Sequence, residues 1–164
     1  MDRASLHAFM TQHRYGVVSS TSRSGTPQSA LVGIATTPDL EIIFDTVMTS
    51  RKYANLIERS SCSFVVGWSG EQTVQFEGLA EEPGGSELKR CQDVYFKAWP
   101  DGPARMSWPG IAYFVVRPPA TISAARSASS DFSSSVAILP IVLTCRSSSL
   151  LYTESRALGQ SAEL

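Results

Sequence analysis

The sequence predicts a mainly β protein, an antiparallel barrel of about six strands decorated by helices. Three observations carry that prediction. Short β-branched and aromatic runs recur between residues 15 and 116, tight Gly and Pro turns separate most of them, and segments of helical period lie between the others. Strands this short and numerous must close on one another or have their edges covered.

The elements follow in order. Leu6, Phe9 and Met10 recur at helical spacing behind Asp2, a suitable N-cap, so a short amphipathic helix is expected to end near His13. Tyr15–Ser20 and Gln28–Thr36 flank the turn residues Gly25 and Pro27 and form a hairpin. Thr37-Pro38-Asp39 turns the chain into a third strand, Leu40–Phe44, followed by a polar loop. Ser50 opens a helix with Tyr53, Leu56 and Ile57 on one face and Arg51, Lys52, Glu58 and Arg59 in water. Cys62–Gly67 and Thr73–Ala80 make a second hairpin. Leu88, Cys91, Val94, Tyr95 and Ala98 give the stripe of a third helix that Pro100 stops, and Ile111–Val116 is the last strand of the barrel.

Composition bounds the rest. The 164 residues, 43% hydrophobic, suit one domain. Fourteen Lys and Arg against fifteen Asp and Glu give a net charge of −1, which argues against nucleic acid or an anionic membrane as partner. Cys62, Cys91 and Cys145 form no CxxC pair, and no apolar run is long enough to span a bilayer, so a cytoplasmic protein is expected. Beyond Pro119 the chain has no Lys and is rich in Ser. Residues 1–119 are therefore read as the domain and 120–164 as a loosely ordered or divergent tail. Within that tail the apolar patch Val136–Val142 is the one candidate for an edge strand.

The segment that carries chemistry is Asp45-Thr46-Val47-Met48-Thr49-Ser50-Arg51-Lys52. Two cations in the first turn of a helix oppose its dipole by about 0.3–1 kcal/mol each unless an anion sits there. The free N–H groups, the hydroxyls of Thr49 and Ser50, and the side chains of Arg51 and Lys52 together suit a phosphate. Ser-Arg-Lys also starts ordinary solvated helices, but here the loop leaves the third strand of a barrel.

In these pieces the chain resembles the pyridoxamine 5′-phosphate oxidase-like family of flavin-binding split barrels. The resemblance covers most of residues 5–117: Tyr15-Gly16-Val17-Val18, Gly25-Thr26-Pro27-Gln28, Thr49-Ser50-Arg51-Lys52 with Asn55-Leu56, Thr73–Gly78, and Tyr113–Pro118. It implies a six-stranded antiparallel split β-barrel of Greek-key type with about three helices. It also implies a homodimer that binds flavin mononucleotide (FMN) between two barrels. Ser50, Arg51 and Lys52 would then bind the phosphate, with Asp45 and Thr46 beside it or the ribityl chain. Ala30, Leu31 and Val32 would face the ring by their backbone. Thr73 stands where relatives often carry a Gln reaching the flavin of the other subunit, and Gln75, two residues on and on the same strand face, is a substitute.

The chain also departs from the family pattern. The authentic oxidases have a C-terminal Arg-x-His element for substrate, whereas the only histidines here are His7 and His13. Gln28 and Ser29 stand where those oxidases direct an Arg at the flavin phosphate. The resemblance thus implies an FMN-dependent oxidoreductase acting on a small organic substrate and does not extend to vitamin B6 oxidation. A deazaflavin-dependent reductase and a non-catalytic flavin-binding or sequestration protein are the alternatives. No nucleophile elbow, paired carboxylates or P-loop is seen, so no catalytic residue is named. His7 and His13, six apart, do not suit one helical face as metal ligands. Tyr15, Trp68, Trp99 and Trp108 are expected to pack, the tryptophans over a barrel end or dimer seam, and Cys62 and Cys91 to be buried.

Overall fold

The computed structural model of the chain describes residues 2–68, 72–118 and 141–145. In chain order the elements are α1 (Arg3–Gln12), β1 (Tyr15–Thr21), β2 (Pro27–Thr36), β3 (Ile42–Val47), α2 (Arg51–Glu58), β4 (Ser61–Val66), β5 (Gln72–Glu81), α3 (Gly85–Ala98), α4 (Gly102–Arg105), β6 (Ile111–Arg117) and β7 (Ile141–Cys145). Six of the strands close a ring in the order β1-β2-β3-β6-β5-β4 and back to β1, antiparallel throughout. This is the mainly β barrel that the strand and turn pattern predicts.

Strand alternation explains the two cores. Ile42 and Phe44 point into the barrel, where Phe44 stacks on Phe114 at 5.5 Å and meets Phe64 edge-on at 5.7 Å. Their neighbour Ile43 points outward with Tyr113 and Val115, and α3 covers that face with Cys91 and Tyr95. Both faces of β3 and β6 are therefore dry, which is why these strands read as continuous apolar runs. Strand β5, exposed on its outer face, alternates instead.

Strand β5 serves three partners. Val74–Leu79 pairs with β4, Leu79–Glu81 with β6, and Gln72–Phe76 with β7 on the edge that β6 leaves bare. The chain passes between these partners at Gly78, where a Cβ would lie 2.7 Å from the Arg117 carbonyl oxygen and 2.7 Å from Val116 Cγ1. Because one of those atoms is backbone, Gly78→Ala is expected to cost about 1–3 kcal/mol and lower the melting temperature by several degrees in a calorimetric scan.

The structure corrects several sequence expectations. Strand β3 runs on through Asp45 and Thr46, read as loop from their polarity, because β6 supplies Tyr113 and Ala112 as ladder partners. Ile57 is 54% exposed, and α2 buries Asn55 and Leu56 instead. Tyr15 is half exposed, edge-on to Trp99, while Trp68 and Trp108 are also open; Trp99 alone of the three tryptophans packs down, on β2 at Gly33. A fourth helix, α4, is too short for periodicity to show. The strand Ile141–Cys145 overlaps the end of the patch Val136–Val142, whose other residues, like most of the tail, lie outside the described ones. Cys62 and Cys91 are buried, and burial pushes the Cys62 thiol up to about 12, which leaves it a packing residue.

Candidate anion site at the start of the second helix

Helix α2 begins where the sequence places it. The Ser50 hydroxyl accepts from the Tyr53 N–H at 3.3 Å and lies 3.0 Å from the Thr46 hydroxyl, so the N-cap is tied back to β3. Beside this start is a cavity of about 200 Å3 lined by Ser20, Gln28, Ser29, Ala30, Ser50, Arg51 and Lys52. Its lining holds two cations and no carboxylate, and neither cation joins an ion pair among the described residues. Hydroxyl and amide donors, two cations without an ion pair among the described residues and a helix N-terminus are the chemistry that a phosphate or similar anion would need.

Lys52 is half-buried, and burial lowers its pKa from the ordinary lysine value, an effect partly offset by the charge of Asp45. The sign follows. The protonated form is disfavoured in the folded chain, so this group's contribution to stability improves as pH rises through the lowered value, while its attraction for an anion is lost over the same interval. Affinity for inorganic phosphate is accordingly expected to fall at lower pH than a free lysine would dictate, and Lys52→Arg to hold it level. Calorimetric titration over a pH series measures both.

The other sequence-predicted residues divide by strand face. Ala30 lines the cavity, Leu31 points out to solvent, and Val32 is buried in the barrel core. Thr49 is exposed in the loop before Ser50 and is not among the lining residues. Asp45 shares the outward face of Ile43, where it accepts from the Tyr95 hydroxyl at 2.9 Å and pairs with Arg105 at 3.1 Å. Its carboxylate is thus turned toward α3 and α4. Burial and that carboxylate both raise the pKa of Tyr95, which stays a neutral donor. On β5, the Thr73 hydroxyl donates to the Val66 carbonyl at 3.2 Å and Gln75 is exposed on the outer barrel face. Neither touches the cavity of its own chain.

The family model described as pyridoxamine 5′-phosphate oxidase matches residues 3–110, which include five of the six barrel strands and every residue lining this cavity. The chain belongs to that family. No curated protein matches it. Among solved structures, a heme-binding protein from Mycobacterium smegmatis is similar with a TM-score of 0.62 at 16% identity, over 72% of this chain and 52% of that one. A heme storage protein from Vibrio cholerae gives 0.62 at 11%, over 70% and 88%. A putative pyridoxamine 5′-phosphate oxidase from Listeria innocua gives 0.57 at 14%, over 71% and 93%. At these identities the likeness is one of fold. The chain spans about half the length of the Mycobacterium protein and of a protein of unknown function from Agrobacterium tumefaciens.

Within this pyridoxamine 5′-phosphate oxidase family barrel, sequence reasoning missed Ser20 and Asn55. The Asn55 amide nitrogen lies 3.0 Å from Ser20 Oγ and 3.0 Å from Gln28 Oε1. Two signals were available: Asn55 is four residues after Arg51 on the same helical face, and Ser20 and Gln28 are cross-strand partners. At the other end of β1, Gln12, His13, Arg14, Tyr15, Gly67 and Trp68 line a second cavity of about 300 Å3. Among the described residues no helix is long and apolar enough to cross a membrane.

Proposed function

We propose that the protein is a homodimeric FMN-binding flavoprotein that carries out oxidoreductase chemistry on a small organic substrate. The observation that carries the reading is the cavity at the start of α2, with Arg51 and Lys52 on its wall and no carboxylate among its lining residues. Its volume suits a phosphate and the adjoining chain, leaving the flavin ring to extend beyond the open mouth. FMN supplies the electron and hydride chemistry when bound, and the protein anchors the phosphate and orients the ring.

The outer barrel face supports the dimer. Leu31 pairs across from Val17, and Val17 across from Val65, so the three share one face, on which Leu31 and Val65 are exposed. Gln75 stands next in that row, opposite Val65. Closing a second copy over this face would bring Gln75 and Thr73 toward the partner's flavin. The test is the absorption spectrum of the purified protein together with the identity of the cofactor released on denaturation. Flavin bands and released FMN at one per chain support the reading, and a deazaflavin band replaces only the cofactor. A Soret band, or a chain that takes up neither flavin, would contradict it.

A further inference from the structure

We infer that Asn55 is a positioning residue that fixes Gln28 and Ser20 as hydrogen-bond donors toward the cavity, giving the site a neutral donor wall opposite its two cations. The inference rests on the proposed phosphate site and says how that site selects an acceptor-only anion. Asn55 is 7% exposed and Ser20 is 6% exposed, so both depend on protein partners. A carboxamide nitrogen carries two hydrogens and accepts nothing, so both of its neighbours at 3.0 Å must be acceptors. Gln28 therefore presents Oε1 to Asn55 and keeps its NH2 for the cavity it lines. Ser20, accepting from Asn55, retains its own hydroxyl hydrogen, for which the described residues supply no other acceptor, and it lines the same cavity. Helix α2 thereby acts twice: Arg51 at its first position reaches the anion directly, and Asn55, one turn later on the same face, orients the strand residues behind it. An anion that only accepts, such as a phosphate monoester dianion, matches every hydrogen so presented, whereas a ligand group with its own donors does not.

Two isosteric substitutions read the orientation, with melting temperature and the ratio of FMN to riboflavin affinity as readouts. Gln28→Glu keeps an acceptor for Asn55 but replaces the cavity-facing NH2 by an anionic oxygen. Melting is expected to stay within about 2 °C of wild type or rise, while the affinity ratio falls by roughly 30-fold or more. Asn55→Asp removes both N–H groups, so melting is expected to drop by at least about 5 °C and the ratio to fall as well. The opposite pattern, with Asn55→Asp neutral and Gln28→Glu destabilising, would mean the two amides face the other way and would overturn the inference. So would an unchanged affinity ratio in both variants. A scaffold defect alone would weaken FMN and riboflavin equally, which counts against it too. If the wild type does not prefer FMN to riboflavin, the phosphate reading falls, and the pair of melting shifts still decides the orientation of Asn55.

Discussion

Replacing Arg51 and Lys52 together by alanine is expected to weaken FMN retention by about 10²- to 10⁴-fold. Each side chain would make a charge-assisted contact with the phosphate at roughly 1.5–3 kcal/mol, and the helix N-terminus alone cannot replace them. Riboflavin binding should change little. The fold is not at risk, because both cations line a cavity and neither joins an ion pair among the described residues. Their position at the positive end of α2 makes removal slightly stabilising in the absence of ligand. Melting temperature without FMN should therefore hold or rise while retention collapses. A double variant that keeps FMN as tightly as wild type would show that the phosphate lies elsewhere.

The second large effect separates structure from binding at a residue the sequence associates with the phosphate. Asp45→Ala is expected to destabilise the protein by about 3–5 kcal/mol, or roughly 10–20 °C in melting temperature. The Asp45 and Arg105 side chains are only 15% and 18% exposed, so removing the carboxylate leaves a largely buried guanidinium with Asp101, at 3.1 Å and itself 64% exposed, as its remaining ion-pair partner among the described residues. It also deprives the Tyr95 hydroxyl of its acceptor. Because the carboxylate is turned away from the cavity lining, the preference of the surviving folded protein for FMN over riboflavin should remain. A variant that melts normally but loses that preference would return Asp45 to the phosphate site. Arg105→Met, which removes the largely buried charge, should recover part of the lost stability in the Asp45→Ala background.

Residues with a strong local pattern were legible from the sequence. Asp2 and Ser50 cap the helices they were expected to cap, since capping needs only the first turn of its own helix. The stripe Leu88, Cys91, Val94, Tyr95 and Ala98 packs on the sheet because α3 is long enough for its period to declare a face. The errors arise where a distant partner decides. Asp45 and Thr46 look like loop residues until β6 offers them ladder partners, and the side of the sheet on which Asp45 emerges depends on the register begun at Ile42. Ile57 looks buried by helical spacing, yet the face of α2 on which it sits is turned from the barrel that buries its neighbour Leu56. At the site itself, the cations are visible as misplaced charges, whereas the Asn55, Ser20 and Gln28 cluster exists only once β1, β2 and α2 meet. The clamp of Arg90 and Arg117 on Glu41, Glu81 and Glu87 is of the same kind, joining the start of β3, the end of β5, the N-terminal half of α3 and the end of β6.

A crystal structure of the protein with FMN bound would show whether the start of α2 cradles a phosphate. The phosphate is expected in the cavity between β1, β2 and α2, with oxygens about 2.7–3.2 Å from donors of Arg51 or Lys52 and from Ser20 or Gln28. A phosphate seated in the cavity of His13, Arg14 and Trp68, or Arg51 and Lys52 both left in bulk water, would contradict it.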